Sequence, residues 1–289
     1  MDRLDKIEEF LINALNNPKQ LPFGAWMEHI PFGYFLISFL KPKVFVELGV
    51  YKGCSFLNIC QAIKDQGIQC NAYGVDSWLG DSHAGVMTEE TFFDINNQVN
   101  SQYGTFAKLL KKSFDEAACE FMDKSIDLLH IDGYHTYESV SHDFETWLPK
   151  VSENGVVLFH DTAVRENDFG VWKLWDELKI KYPHISTQYG YGLGVLFVGK
   201  VSNSQKEFID LFNTSPFYCR FFQKMGLYLK ENYELKEMVS CRIEEIVEKN
   251  KQLEDVKNEL VSIHLSKSWR WTRPFREIQN IWRAVKGKK

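Results

Sequence analysis

Apolar positions set the first expectations. Leu4, Ile7, Phe10, Leu11, Ala14 and Leu15 recur at helical spacing, which predicts an amphipathic helix over residues 2 to 15. After Pro42 the pattern changes to short apolar runs alternating with helical stretches. Val44–Val50, Asn71–Asp76, Phe106–Leu110, Ser125–Ile131, Gly155–Phe159 and Leu193–Val198 read as strands, and Gly53–Lys64, Tyr137–Leu148 and Asp168–Lys181 as helices between them. Continuous apolar strands separated by helices imply a parallel sheet covered on both faces. His184–Tyr189 and Leu193–Val198, joined by Gly-Tyr-Gly, read as a hairpin. The expected fold is therefore α/β: a Rossmann-like doubly wound sheet, mostly parallel with an antiparallel last strand, plus a C-terminal helical extension.

Beyond Lys200 the pattern changes again. One heptad frame from Leu235 to Ile263 places Val239, Ile246, Leu253 and Leu260 at position a, with Leu235, Arg242, Lys249, Val256 and Ile263 at d. The a positions are all apolar and the d positions are not. Two readings stay open: a charged helix packed on its own domain, or a coiled coil joining chains into a homo-oligomer. From Lys267 to Lys289 the chain is basic, with Glu277 its only acid, and carries Trp269, Trp271, Phe275, Ile281 and Trp282. Such a segment suits an anionic membrane surface or an acidic partner protein. The expected organisation is 1–30 N-terminal helical segment, 31–200 main α/β domain, 201–266 helical extension with coiled coil, and 267–289 basic aromatic tail.

A formal net charge of −5 argues against nucleic acid as the main partner, because phosphate binding calls for a broad basic excess. Cys54, Cys60, Cys70, Cys119, Cys219 and Cys241 form no short CxxC pair, so neither a zinc knuckle nor a disulfide framework is expected. A reducing, cytoplasmic setting is the simpler reading. The acids of Met1–Asp5 do not suit a secretory signal, and the apolar run Pro31–Leu40 falls short of the roughly 20 residues of a membrane span. The chain is expected to be soluble, or at most peripheral at the inner membrane face.

The candidate chemistry begins at Val46-Glu47-Leu48-Gly49-Val50-Tyr51-Lys52-Gly53, a strand running into a helix. Glycines at such a junction point to close backbone approach, and a ligand at the carboxyl ends of the strands is the usual cause. An ordinary tight turn is the alternative. The Glu47-x-Gly49-x-x-x-Gly53 spacing departs from the GxGxxG of dinucleotide enzymes. A carboxylate at Glu47 would repel a pyrophosphate and suit the sulfonium and amino group of S-adenosylmethionine. Asp76, ending the next strand in Tyr73-Gly74-Val75-Asp76-Ser77-Trp78, is placed to accept ribose hydroxyls. Ser77 and Trp78 are read with it as part of the cofactor site, as is Ser113, after the strand Phe106–Leu110.

Ser125–Thr162 adds Leu128-Leu-His130-Ile-Asp132-Gly-Tyr-His135, then Asp143-Phe-Glu-Thr-Trp147, then Gly155-Val-Val-Leu-Phe-His160-Asp161-Thr162. Here the sequence resembles the class I methyltransferase family that includes macrocin-type sugar O-methyltransferases and proteins of bacterial surface-polysaccharide clusters. The likeness covers roughly Val44 to Gly199 and includes Asp76-Ser-Trp-Leu-Gly-Asp81 and Phe169-Gly-Val-Trp-Lys-Leu-Trp175. It implies that Asp132 and Asp161 bind a divalent metal, expected to be Mg2+, with His135 as general base. His160 stands where relatives can carry an acid. It is included as a candidate ligand, although magnesium prefers oxygen. The chemistry fits the residues, since a metal lowers the proton affinity of a bound hydroxyl and a base within reach removes the proton. Polar cap and turn roles are the alternatives for all three. His130, in an apolar run, reads as a hydrogen-bonded core residue, and His83 as part of a loop over the site, touching either acceptor or solvent.

The expected function is methyl transfer from S-adenosylmethionine to a sugar hydroxyl in surface polysaccharide biosynthesis. Ser268-Trp-Arg-Trp-Thr-Arg-Pro-Phe-Arg276 is similar to a segment near the ends of polysaccharide-cluster glycosyltransferases, so contact with such an enzyme is a further expectation. Rivals are a methyltransferase of a non-sugar hydroxyl and a non-catalytic donor-binding assembly subunit.

Overall fold

A computed structural model of the chain describes residues 22–81, 83 and 85–286; the helix expected over residues 2 to 15 lies outside them. The strands of the main sheet are β1 (Val44–Leu48), β2 (Asn71–Asp76), β3 (Ala107–Lys111), β4 (Ile126–Ile131), β5 (Val151–His160), β6 (His184–Thr187) and β7 (Leu193–Phe197). They form one sheet in the order β3-β2-β1-β4-β5-β7-β6. The first five pair in parallel, and β7 runs antiparallel to both β5 and β6. This is the doubly wound sheet with an antiparallel strand that the alternating pattern predicts.

The helices of the sheet unit are α1 (Ile30–Leu40), α2 (Cys54–Asp65), α3 (Glu89–Tyr103), α4 (Phe114–Ala118), α5 (Tyr137–Trp147), α6 (Val171–Lys181) and α7 (Asn203–Thr214). Helices α1, α2 and α3 touch one another in sequence, as do α4, α5 and α6, which gives one layer on each face of the sheet. Alternate residues of each strand therefore both meet apolar partners. Val46 and Leu48 join the cluster of Phe144, Trp147 and Trp175, while Phe45 stacks on Phe56 of α2 at 5.9 Å. Three helices have no counterpart among the sequence expectations: α1, α3 and the short α4. Helix α1 is the apolar run Pro31–Leu40, buried from Ile30 to Ile37 on every side, so it shows no amphipathic period. Helix α3 starts where the Thr88 hydroxyl accepts from the Thr91 amide.

The sheet unit extends to Lys230. Phe208 and Phe212 of α7 pack on Phe35 of α1, and Phe222 joins them from the first turns of α8 (Pro216–Leu265). Close packing there leaves no room at Gly226, where an added Cβ would lie 1.9 Å from the Glu28 carbonyl oxygen. The second unit runs from Glu231. It comprises the remainder of α8, α9 (Lys267–Trp271), capped by the Ser266 hydroxyl, and α10 (Arg273–Lys286). No helix among the described residues is long and apolar enough to cross a membrane.

Gly226→Ala is expected to lower stability by about 1–3 kcal/mol, the range for overpacking a filled site. Cys241→Ala, at an exposed position, should change it little. Urea-unfolding midpoints of the two variants and the parent check this.

Candidate functional site

Adjacent parallel strands end together, so the residues just past β1, β2, β4 and β5 meet at one edge of the sheet. The turn after β1 is tied to both neighbours: the Gly49 amide donates to the Val75 carbonyl, and the Asp132 amide to the Leu48 carbonyl, each at 2.9 Å. Gly49 has φ +88°, and a Cβ there would lie 2.0 Å from the Asp132 carbonyl oxygen. The neighbouring strand end is by itself enough to require glycine there. Gly53, with φ +86°, caps α2 and leaves room for the Ile95 side chain of α3. Packing within the protein thus gives both glycines a reason of their own, and Gly49 also lines the cleft described below.

Glu47 lies apart from where the charge argument places it. Its carboxylate is fully buried, accepting from the Ser55 hydroxyl at 2.8 Å and facing His130 Nδ1 at 2.9 Å. Burial raises its pKa above the usual range, against the pull of His130 and Ser55. It is part of the protein interior, so its charge does not face the cleft. His130 is the hydrogen-bonded core histidine expected. Asp76 does border the cleft. Its Oδ2 accepts from the amides of Val50 and Tyr51 at 3.0 and 2.9 Å, and Oδ1 from the Trp78 amide at 2.7 Å. These bonds hold the carboxylate rigid and join the β1 and β2 turns. Ser77 also lines the cleft, whereas Trp78 is buried, donating from its ring nitrogen to the Tyr51 carbonyl. Ser113 lines it too, with its hydroxyl in the capping box of α4.

The chemically richest part of the site follows β4 and β5. Asp132 and Asp161 converge there with two histidines. His135 Nε2 lies 2.9 Å from Asp161 Oδ2 and 3.6 Å from Asp132 Oδ1. His160 Nδ1, almost wholly buried, lies 3.4 Å from Asp132 Oδ1 and 3.3 Å from Asp161 Oδ1. Asp161 holds a left-handed φ of 61°, a conformation aspartate tolerates better than most residues. Burial alone would raise both carboxyl pKa values and lower both imidazole values. Opposite charges outweigh it: Asp132 is held well below its usual range and Asp161 below its own, while His135 is raised to about 9 and His160 well above normal.

One ligand atom each from Asp132, His135 and Asp161 lies within 4.8 Å of the others, a spacing that suits one metal ion. His135 stands beside the two carboxylates, and His160, almost wholly buried, also borders the cleft behind them. The donor chemistry of Asp132 and Asp161 suits a divalent cation, since two carboxylates supply hard oxygen and charge, and a cation held by them would leave His135 uncoordinated beside it.

Two side chains not assigned a site role from sequence complete this wall. Phe169 stacks on His135, with ring centroids 4.7 Å apart and planes at 12°, and on His83 at 4.5 Å. His83 Nδ1 lies 3.3 Å from His135 Nδ1, and its Nε2 lies 2.7 Å from Asp168 Oδ1. Asp168, His83 and His135 thus form a polar line ending at the carboxylates. The Gly170 amide donates to the His135 carbonyl at 2.7 Å, which fixes the turn under Phe169. The aromatic motif at Phe169 was the only sequence signal available, because the contact joins segments far apart in the chain. All these groups surround one open cleft of about 610 Å3, which reaches from Tyr51, Asp76 and Phe114 to Asp132, His135 and Phe169.

Residues 46–162 match the family described as a methyltransferase domain. An uncharacterized protein of Sinorhizobium fredii, y4gI, is 46% identical over 179 residues, which cover 62% of this chain and 20% of that protein. An uncharacterized protein of Acanthamoeba polyphaga mimivirus is 28% identical over 121 residues, covering 40% of this chain and 50% of that one. The chain thus spans between a fifth and a half of the length of these relatives. Among solved structures, the O-methyltransferase TomG from Streptomyces achromogenes, in complex with SAM and involved in tomaymycin synthesis, is 12% identical with a TM-score of 0.46. The match covers 69% of this chain and 91% of that one.

Calorimetric titration of the full chain with Mn2+ is expected to show one saturable site. Asp132→Asn and Asp161→Asn should each weaken it about tenfold or more. His142→Ala, on an exposed face of α5, should leave the titration unchanged.

Proposed function

We propose that this chain is an S-adenosylmethionine-dependent O-methyltransferase whose acceptor is a sugar hydroxyl in a surface glycan or its lipid- or nucleotide-linked precursor. The observation that carries this reading is the meeting of Asp132, His135 and Asp161 in the same cleft as Asp76. That cleft belongs in large part to the segment matching a methyltransferase domain. Its volume and shape suit a nucleoside-sized donor at the Asp76 and Phe114 end, with room for an acceptor beside His135.

In the reaction an oxygen–carbon bond forms as the methyl carbon–sulfur bond breaks, and the hydroxyl proton must be taken up. A hydroxyl is a weak nucleophile at neutral pH, so alignment and deprotonation dominate the protein's contribution. A divalent cation held by Asp132 and Asp161 would make the bound hydroxyl more acidic and fix its direction. His135 lies at the cleft surface, with its ring plane set by Phe169 and one nitrogen directed by Asp161. Against the pull of burial, the paired carboxylates raise its pKa to about 9, and a cation held by them would oppose the imidazolium charge and favour the neutral form that accepts the proton. His83 and Asp168 continue the polar line behind it. Asp76 orients the donor end of the cleft, since its carboxylate is fixed before any ligand arrives. The flat face of Phe169 beside polar groups suits a sugar ring, which presents alternating apolar and hydroxyl surfaces.

Isothermal titration should detect S-adenosylmethionine binding to the full chain, and transfer of a labelled methyl group to candidate sugar nucleotides should follow. His135→Ala is expected to lower turnover roughly 10²- to 10⁴-fold, the contribution of a positioned acid or base, with donor binding kept. Asp76→Ala should weaken donor binding first. Donor binding without any loss of turnover in His135→Ala would remove the assignment of the base, and absence of donor binding would remove the whole reading.

A further inference from the structure

The second unit carries an amphipathic surface that the cleft chemistry leaves unused. At 100° per residue, Phe275, Ile278, Ile281 and Trp282 fall within one arc of α10, while Arg273, Arg276, Arg283 and Lys286 fall on the remainder. The four apolar side chains are 63–75% exposed, and Trp271 just before them is 84% exposed. Cations flank the aromatic groups: Lys286 Nζ lies 4.1 Å from the Trp282 ring centroid, and the Arg276 guanidinium 3.6 Å from that of Trp269. Charge changes sign where this surface begins. Glu231 to Ser266 holds nine acids and five cations, whereas Lys267 to Lys286 holds six cations and one acid.

We propose that α10 is a docking helix for an anionic lipid surface. A helix of 14 residues is about 21 Å long, too short to span a bilayer. With its apolar arc toward the acyl boundary and its cations toward lipid headgroups, it lies in the interface plane. Tryptophan beside lysine and arginine is suited to that depth, having an apolar body and a polar edge. An acidic protein partner would use the cations but leave four large apolar side chains to find a matching groove. The lipid surface accepts both at once.

Co-sedimentation of the full chain with vesicles of equal parts phosphatidylglycerol and phosphatidylcholine tests this, with pure phosphatidylcholine vesicles as the comparison. Expected are pelleting with the anionic vesicles, weaker pelleting with neutral ones, and a blue shift of tryptophan emission. Ile281→Ser with Trp282→Ser should weaken binding about tenfold or more. Arg283→Gln with Lys286→Gln should reduce the preference for anionic vesicles while the chain keeps its Mn2+ titration, which reports an intact cleft. Equal partitioning of parent and Ile281/Trp282 variant, or no pelleting with anionic vesicles, overturns the proposal. A chain that binds only acidic protein would give the second result.

Every residue from Glu234 to Leu265 of α8 is exposed, including Val239, Ile243, Ile246, Leu253 and Leu260. We infer that a second copy of this chain covers them in a parallel two-stranded coil. Assigning Val239, Ile246, Leu253 and Leu260 to d moves Arg242 and Lys249 from the seam to its flank. Position a then holds Ile243, Asn250, Lys257 and His264. Of these only Ile243 is apolar; Asn250 at a favours two strands and a fixed register, at a cost in stability. The flanking residues agree with parallel pairing, since Lys249 meets Glu254 and Val256 meets Val261 of the other copy at the five-residue offset between g and e.

Light scattering of the full chain should give twice the single-chain mass, and Ile246→Glu with Leu253→Glu the single mass. Mild oxidation of His264→Cys should link two copies, since a parallel register brings that position to itself, whereas an antiparallel pairing sets it against the opposite end of the seam. A single-chain mass for the parent, a mass above two chains, or no linkage overturns this inference.

Discussion

Two carboxylates at the ends of neighbouring parallel strands must share positive charge. Parallel pairing of β4 with β5 brings Asp132 and Asp161 together whatever their side chains prefer. Both are largely buried, where an uncompensated pair of charges would be costly. His160 supplies charge from inside and His135 from the cleft, and both imidazoles are raised in pKa as a result. Much of the local structure follows. Asp161 adopts a left-handed backbone, and Gly49 gives way to the Asp132 carbonyl. The His135 turn is clamped by the Gly170 amide and the Phe169 ring.

The interior behind this cluster is unusually rich in imidazole. Trp26 lies between His130 and His160, with ring centroids 4.8 and 5.8 Å away, and His29 meets the His160 ring edge-on at 5.4 Å. Burial lowers His29 to about 3, and the charge of His160 pushes it the same way. Neighbouring histidines thus hold opposite protonation states according to what each faces: carboxylates for His160, and the Gly190 carbonyl with aromatic rings for His29. Glu47 and His130 form a second buried acid–imidazole contact one strand away. The sheet edge is therefore supported by polar contacts that only the assembled strands provide, which couples formation of the cleft to formation of the core.

This coupling explains what the sequence revealed and what it did not. Strands β2 and β4 were legible because parallel strands buried on both faces read as apolar runs, and the candidate acids were legible because each ends such a run. Helix α1 was not, since a helix buried all round has no polar face to set its period. Glu47 lay in a recognisable turn, yet its partners are Ser55 on the next helix and His130 on the next strand. No local pattern could show that its charge is spent inside the protein. His135 and His160 are both near the acids in sequence, but which one faces the cleft depends on the direction in which each side chain leaves its element. His160 is the last residue of a buried strand, and His135 stands in a turn.

The same reasoning separates the two halves of the cleft. At the donor end, Asp76 is held by three backbone amides from turns that immediately follow β1 and β2. A strand end with an acid and a short turn is a local feature, so sequence identifies it readily. At the His135 end, His83, Phe169 and Asp168 come from two long connections and touch one another directly, His83 stacking on Phe169 and meeting Asp168. Loops of this kind can change composition without disturbing strand pairing. On the proposed function, acceptor choice rests with residues the fold does not need, whereas the positions of Asp76, Asp132 and Asp161 are tied to the sheet itself.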